Sequence, residues 1–149
     1  MKVNDRISAI LRRKGSDIWS IPPDASVYSA IETMADKHVG ALLVIEDGHL
    51  VGIVSERDYA RKVILMGRSS KDTFVHEIMT PSPVTVCLEC CVDDAMRTMT
   101  THRIRHLPVV DGGKVVGVLS IGDIVNFIIM SQDQAIEHLE HYITGQYPC

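Results

Sequence analysis

Aromatic residues are scarce in this chain. Phe, Trp and Tyr make up 5% of its 149 residues, so a core has to be aliphatic, and a hydrophobic fraction of 46% supplies ample Val, Ile, Leu, Met and Ala for one domain or two intimate halves. A basic excess is also lacking. The formal net charge of −4 argues against general nucleic-acid binding, which needs a cationic face to replace phosphate counterions. No apolar run is long enough to span a bilayer. The opening segment MKVNDRISAILRRKG mixes acid and base within a short helical pattern and has no secretory signal core. The cytoplasm is therefore the expected compartment, where the four cysteines should stay reduced. No nucleophile and base with an orienting third group stand out, so an enzyme is not expected.

What is present is a repeat. Residues 19–58 recur at 84–123 without a gap. Val27, Ala30, Thr33 and Met34 fall on Val92, Ala95, Thr98 and Met99. Leu42, Val44, Gly48, Gly52, Ser55 and Asp58 fall on Leu107, Val109, Gly113, Gly117, Ser120 and Asp123. A unit this long is a half-domain that pairs with its copy, not a solenoid repeat. Two copies imply a pseudo-two-fold axis with related clefts between the halves, where small ligands bind.

The local pattern gives each half the order β-α-β-β-α. In the first, Asp17–Ile21 reads as a strand ended by Pro22-Pro23, and Ser26 caps a helix with Val27, Ala30, Ile31 and Met34 on its buried stripe. Gly40–Ile45 is a continuous apolar run, typical of a strand covered on both faces. Asp47-Gly48 signals a hairpin, and the returning strand ends at Ser55, which starts a helix through Tyr59, Val63 and Ile64. The second half repeats this with strands at Val84–Val86, Leu107–Val110 and Val115–Leu119, a helix from Val92 to Met99 and another starting at Ser120. Met34, Met96 and Met99 read as core. The expected organisation is an N-terminal helix and linker at 1–16, a repeat at 17–66, a linker at 67–81, a repeat at 82–130 and a separate C-terminal helix from Ser131 within 131–149.

Chemistry concentrates at Gly52-Ile53-Val54-Ser55-Glu56-Arg57-Asp58 and Gly117-Val118-Leu119-Ser120-Ile121-Gly122-Asp123. Each ends a strand in a Ser whose backbone opens a helix, and the first N–H groups of a helix attract anions. The Asp one turn on can accept from two adjacent ribose hydroxyls. The same spacing also makes a capping box, in which the acid folds back on the cap's own N–H. Before the central strands the halves differ. Val39, Gly40 and Ala41 leave room for a flat ring, whereas Arg105 and His106 offer positive charge for a phosphate or simply decorate a strand end.

With these residues in view, the chain resembles the tandem cystathionine-β-synthase (CBS) domain pair, or Bateman module. The two Gly-h-h-Ser-x-x-Asp segments, Ile104-Arg105-His106-Leu107-Pro108-Val109-Val110-Asp111 and Ile78-Met79-Thr80 carry the likeness over about residues 17–130. Ser55-Glu56-Arg57-Asp58-Tyr59, Gly67-Arg68-Ser69-Ser70-Lys71 and a last helix ending near Tyr142-Ile143-x-Gly145 make it similar to stand-alone bacterial and plant-organelle pairs. The resemblance implies an α/β fold of two repeats packed through their sheets, and a homodimeric disc. It also implies regulatory binding of an adenosine nucleotide, with AMP or NAD(H) preferred, and transmission of the ligand state to a partner protein. By the same likeness the main site comprises Ile18, Trp19, Val39, Gly40, Ala41, Arg105, His106, Ser120, Gly122 and Asp123. A weaker one comprises Ser55, Arg57, Asp58, Thr80 and Val84, short of cations unless Arg57 supplies the charge. A nucleotide-independent scaffold that modulates a thioredoxin-type enzyme is the rival reading.

Three other features stand apart. Cys87-x-x-Cys90-Cys91 aligns with the turn Pro22–Ser26 and is expected to fill a turn rather than hold a metal. His138 and His141 are expected to face solvent, and His38 and His102 to sit at helix ends. Gly67–Lys71 reads as an anion nest at a cleft mouth or as a solvated linker.

Overall fold

The computed structural model describes residues 5–143, and for 133–143 the backbone alone. Helix α1 (Ile7–Lys14) leads into the first half. This consists of β1 (Ser20–Ile21), α2 (Val27–Lys37), β2 (Ala41–Glu46), β3 (His49–Ser55) and α3 (Glu56–Tyr59), which runs on into a π-helical turn, Ala60–Ile64. Helix α4 (Val75–Ile78) and β4 (Thr80–Pro81) follow. The second half has β5 (Val86–Cys87), α5 (Val92–His102), β6 (His106–Asp111), β7 (Lys114–Ser120) and α6 (Ile121–Ile143). The β-α-β-β-α order is thus present twice. One sheet runs β1-β2-β3-β4 and the other β5-β6-β7, each with a parallel first pair and an antiparallel hairpin. The hairpins slip register at matching places, Val44/Ile45 and Val109/Val110. Their turns are positive-φ pairs, Asp47-Gly48 and Gly112-Gly113, the geometry whose twist suits two-residue hairpins.

Each half has an aliphatic core between its sheet and helices. In the first, Val27, Ala30 and Met34 of α2 meet Leu42, Val44 and Val54, and in the second Val92, Ala95 and Met99 of α5 meet Leu107, Val109 and Leu119. Successive strand residues face opposite sides. Leu43 and Pro108 therefore lie on the reverse faces of β2 and β6, and they are as buried as their neighbours. This is the pattern of a strand covered on both faces. On that reverse side the halves approach, and a Cβ on Gly40 would stand 3.7 Å from His106 Cε1.

The helices ahead of each repeat cross over. Ile7, Ile10 and Leu11 of α1 are buried in the core of the second half, while Val75 and Ile78 of α4, within the 67–81 stretch, are buried in that of the first. Gly52 and Gly117 are the landing points. A Cβ on Gly52 would lie 2.5 Å from Met79 Sδ and 3.0 Å from the Thr80 carbonyl, and one on Gly117 3.0 Å from both methyls of Leu11. Gly52 is pressed against backbone, which leaves no room for a side chain, whereas Gly117 meets only the flexible Leu11 side chain.

Several elements differ from expectation. The first strand is confined to Ser20–Ile21 rather than Asp17–Ile21. The strand expected at Val84–Val86 lies at Val86–Cys87, because the chain must first leave β3, where Thr80 and Pro81 pair, turn through Ser82 at positive φ and reach Val109. No separate helix begins at Ser131. With no Pro or Gly between Asp123 and Ile143, α6 runs through, and Ser131 Oγ donates to the Phe127 carbonyl within it. The four cysteines are not all reduced, since Cys87 and Cys90 form a disulfide and Cys91 is a free thiol. Ile143 is the last described residue, so Gly145 and Cys149 fall outside, as do the side chains of His138 and His141. No helix of the described residues is long and apolar enough to cross a membrane.

Candidate functional site

Both Ser-x-x-Asp segments are capping boxes. Ser120 N–H donates to Asp123 Oδ2 (2.8 Å), and Asp123 N–H donates to Ser120 Oγ (3.1 Å). Ser55 and Asp58 repeat this at 2.9 and 3.2 Å, with Ser55 Oγ also donating to Asp58 Oδ2. Capping does not spend the whole carboxylate. All the bonds on Asp123 fall on Oδ2, which also takes Lys14 Nζ at 2.6 Å. Asp58 is more fully engaged, because Lys62 Nζ pairs with its Oδ1 at 3.1 Å. The helix N-termini are occupied in part. Ile121 N–H donates to the Arg105 carbonyl (2.9 Å) and Glu56 N–H to the Gly40 carbonyl (3.1 Å), tying each helix start to the loop ahead of its neighbouring strand. Of the first three N–H groups of α6, Gly122's lies between two that are taken.

A cleft borders each box. The Asp123 cleft, about 350 Å³, is lined by Trp19, Val39, Gly40 and Ala41 from one half and by His106, Val118, Ser120 and Asp123 from the other. The expected small-residue slot thus does face the acid-bearing helix start. Lys14, Gly15, Asp17 and His38 also line it. Sequence reasoning missed them because the reach of Lys14 depends on where α1 docks, and His38 enters only because it is the left-handed C-cap of α2 (φ 56°). Ile18 and Gly122 do not line the hollow, and Arg105 does not line it either.

Arg105, expected at the main site, lines the other cleft instead. It lies in the bend ahead of β6, so of the two basic residues only His106, the first residue of that strand, reaches the Asp123 hollow. The Asp58 cleft, about 280 Å³, contains all five residues expected there, Ser55, Arg57, Asp58, Thr80 and Val84. It also contains Arg61, Arg103 and Arg105. Arg103 is the left-handed C-cap of α5, the counterpart of His38. The cleft expected to be short of cations is therefore lined by four arginines and one carboxylate. In the Asp123 cleft, Lys14 and two histidines face Asp17 and Asp123.

His106 is shared by both clefts. Burial lowers its pKa below the ordinary value. Asp123 pulls the other way, and Lys14, Arg105 and Arg57 add to the lowering. The ring is thus held mainly neutral near pH 7, able to donate from one nitrogen and accept at the other.

No group of three or more His, Cys, Asp or Glu among the described residues is placed to hold a metal ion. In the Gly67–Lys71 stretch, the Gly67 and Arg68 amides donate back to the Ile64 and Val63 carbonyls, so two of the donors an anion nest would use are spent closing the helix before it.

Two clefts between duplicated halves, each with a Ser–Asp helix start, define a ligand-binding regulatory pair. The CBS domain family model matches residues 7–64 and 75–130, and the chain belongs to that family, carrying the domain twice. It is 40% identical to the mitochondrial CBS domain-containing protein CBSX3 of Arabidopsis thaliana, over 95% of this chain and 73% of that one. A solved structure of a protein with CBS domains from Burkholderia ambifaria MC40-6 shares 48% identity at a TM-score of 0.84, covering 86% of this chain and 96% of that one. The CBS domain pair of protein MJ0100, solved with 5′-methylthioadenosine and S-adenosyl-L-methionine, has the same fold at 23% identity and a TM-score of 0.76, covering 87% of this chain and 99% of that one.

Proposed function

We propose that this chain is a regulatory sensor of adenosine nucleotides, AMP or NAD(H), acting without catalysis in the cytoplasm as a homodimer and signalling ligand state to a partner protein. The observation that carries the reading is the pairing, across the Asp123 cleft, of the Gly40–Ala41 slot with the open Oδ1 of Asp123. An adenine fits beside the small residues and Trp19, and the ribose hydroxyls bond Asp123. A 2′-phosphate would meet that carboxylate and be repelled. Ser120, at the same helix start, takes the phosphate edge. In the other cleft Asp58 makes the same ribose contact and sets the same bar to a 2′-phosphate, and the four arginines lining it suit the pyrophosphate of NAD(H). A ligand touching both halves shifts their relative orientation only as far as its affinities for the two arrangements differ.

One observation favours the scaffold reading, in which the clefts stay empty and the module acts by contact alone: both acids already cap their own helices. A thermal-shift screen with AMP, ADP, ATP, NAD, NADH, NADPH and S-adenosylmethionine separates the two. Stabilisation by AMP or NADH, with NADPH weaker, supports the sensor. A flat response to all seven ligands sinks it.

A further inference from the structure

The Cys87–Cys90 disulfide closes the turn between β5 and α5, with Cys87 exposed and Cys90 half-buried. That turn is also the N-terminal cap of α1. Arg6 makes no side-chain cap bond, and the N–H groups of Ile7 and Ser8 donate instead to the Cys90 (2.9 Å) and Leu88 (3.1 Å) carbonyls. Val92 N–H returns to the Asp5 carbonyl at 2.8 Å, and Arg6 pairs with Glu89. The far end of α1 is Lys14, which donates to Asp123 Oδ2 and to the Val118 carbonyl, both at 2.6 Å. One short helix therefore runs from the disulfide to the Asp123 cleft.

The first half does the same job without sulfur. Val75 and His76 N–H of α4 donate to the Ala25 (2.8 Å) and Pro23 (3.0 Å) carbonyls. There the capping turn is stiffened by Pro22-Pro23, whose fixed φ needs no cross-link. Where one copy uses proline, the other uses a bond that can be opened.

We propose that Cys87–Cys90 is a redox site exchanging with a dithiol reductant, and that its reduction loosens the cap of α1 and withdraws Lys14 from Asp123. A thiolate of the reductant attacks the exposed Cys87 Sγ. The S–S bond breaks, and Cys90 leaves as a thiolate, its Sγ already accepting the Cys87 N–H at 3.4 Å. The reductant's second thiol then displaces Cys87. The reductant departs as its own disulfide, and two electrons and two protons remain on the pair as two thiols. With Lys14 gone, Asp123 Oδ2 keeps only its bond from Ser120 N–H, and the carboxylate is freer to accept ribose hydroxyls. The loosening of α1 stands by itself, whereas its effect on the cleft rests on the nucleotide reading above.

Amide hydrogen exchange on the full chain, air-oxidised and reduced with dithiothreitol, tests this. Reduction should add two alkylatable thiols, mapped to Cys87 and Cys90, and speed exchange at Ile7 and Ser8 by about tenfold or more, with Val75 and His76 unchanged. The C87S/C90S double variant without reductant should match reduced wild type. AMP should bind about fivefold tighter to the reduced form, and Lys14→Met should abolish that difference. Four alkylatable thiols in the air-oxidised protein, or Ile7 and Ser8 amides unmoved by reduction, would overturn the redox site. Loosened amides with equal AMP affinity in both forms would overturn the link to the cleft. Loosened amides with no AMP binding in either form would support the redox site and count against the sensor.

Discussion

The two clefts descend from one sequence pattern, yet they carry opposite electrostatic characters. Each has the Ser–Asp helix start and a C-cap residue from the facing half. In the Asp123 cleft that residue is His38, the strand approach is Val39-Gly40-Ala41 and a lysine from α1 holds the acid. In the Asp58 cleft it is Arg103, the approach is Ile104-Arg105-His106, and Arg57 and Arg61 add two more arginines. Duplication preserved the cap, which the backbone needs, and let the facing surface diverge. The repeated motif thus places the two clefts, while the residues that differ set the charge of each.

Removing the charge on one side should have the largest effect on that comparison. Arg61→Ala with Arg105→Ala should lower NADH affinity about a hundredfold, about tenfold for each charge-assisted bond lost, while AMP binding at the Asp123 cleft holds. Calorimetric titration reads both, and equal losses for the two ligands would erase the distinction between the clefts. Next, the landing points can be compared. Gly52→Ala should destabilise by about 2 kcal/mol, because the Thr80 backbone cannot yield. Gly117→Ala should cost about 1 kcal/mol, because the Leu11 side chain can turn aside. Thermal unfolding of the two variants decides, and a larger loss at Gly117 would mean that α1 is held more rigidly than α4.

A smaller effect is expected at the lysine. Lys14→Met should raise AMP affinity about fivefold in the oxidised protein, with little change in NADH binding at the Asp58 cleft. A drop in AMP affinity would show that the ammonium serves the phosphate instead. The smallest effect concerns pH. His106 has a lowered pKa, so below the ordinary value of 6.5 the unfolded chain binds more protons than the folded one. Stability should fall as pH drops through that value and level off once the folded ring is also protonated. An anionic ligand reverses the penalty, so nucleotide affinity should rise over the same interval. His106→Gln should flatten both curves, and a wild-type titration without slope below 6.5 would contradict the lowering.

Much of the fold was legible because periodicity is local. The Gly40–Ile45 run, the two hairpin turns and the α2 and α5 stripes are each fixed by neighbours in the chain. The short first strands were blurred because two paired residues leave little periodic signal. At the sites, all five residues expected in the Asp58 cleft do line it, since a duplicated motif points to its own surroundings. Arg61 and Arg103 escaped notice because nothing in their local pattern says that they face the other half. Arg105 and His106 share the Asp58 cleft while only His106 also reaches the Asp123 cleft, a division that no local pattern expresses.

Two copies of one α/β unit, the hairpin turns and the caps at Ser26, Ser55 and Ser120 could be read from the sequence, because these depend on interactions within a few residues. Only the folded molecule shows that each leading helix docks on the opposite half, that four arginines line the cleft of Asp58, and that Lys14 reaches Asp123. Those outcomes depend on surfaces distant in the chain meeting only when the halves close together, and no local pattern encodes such a meeting.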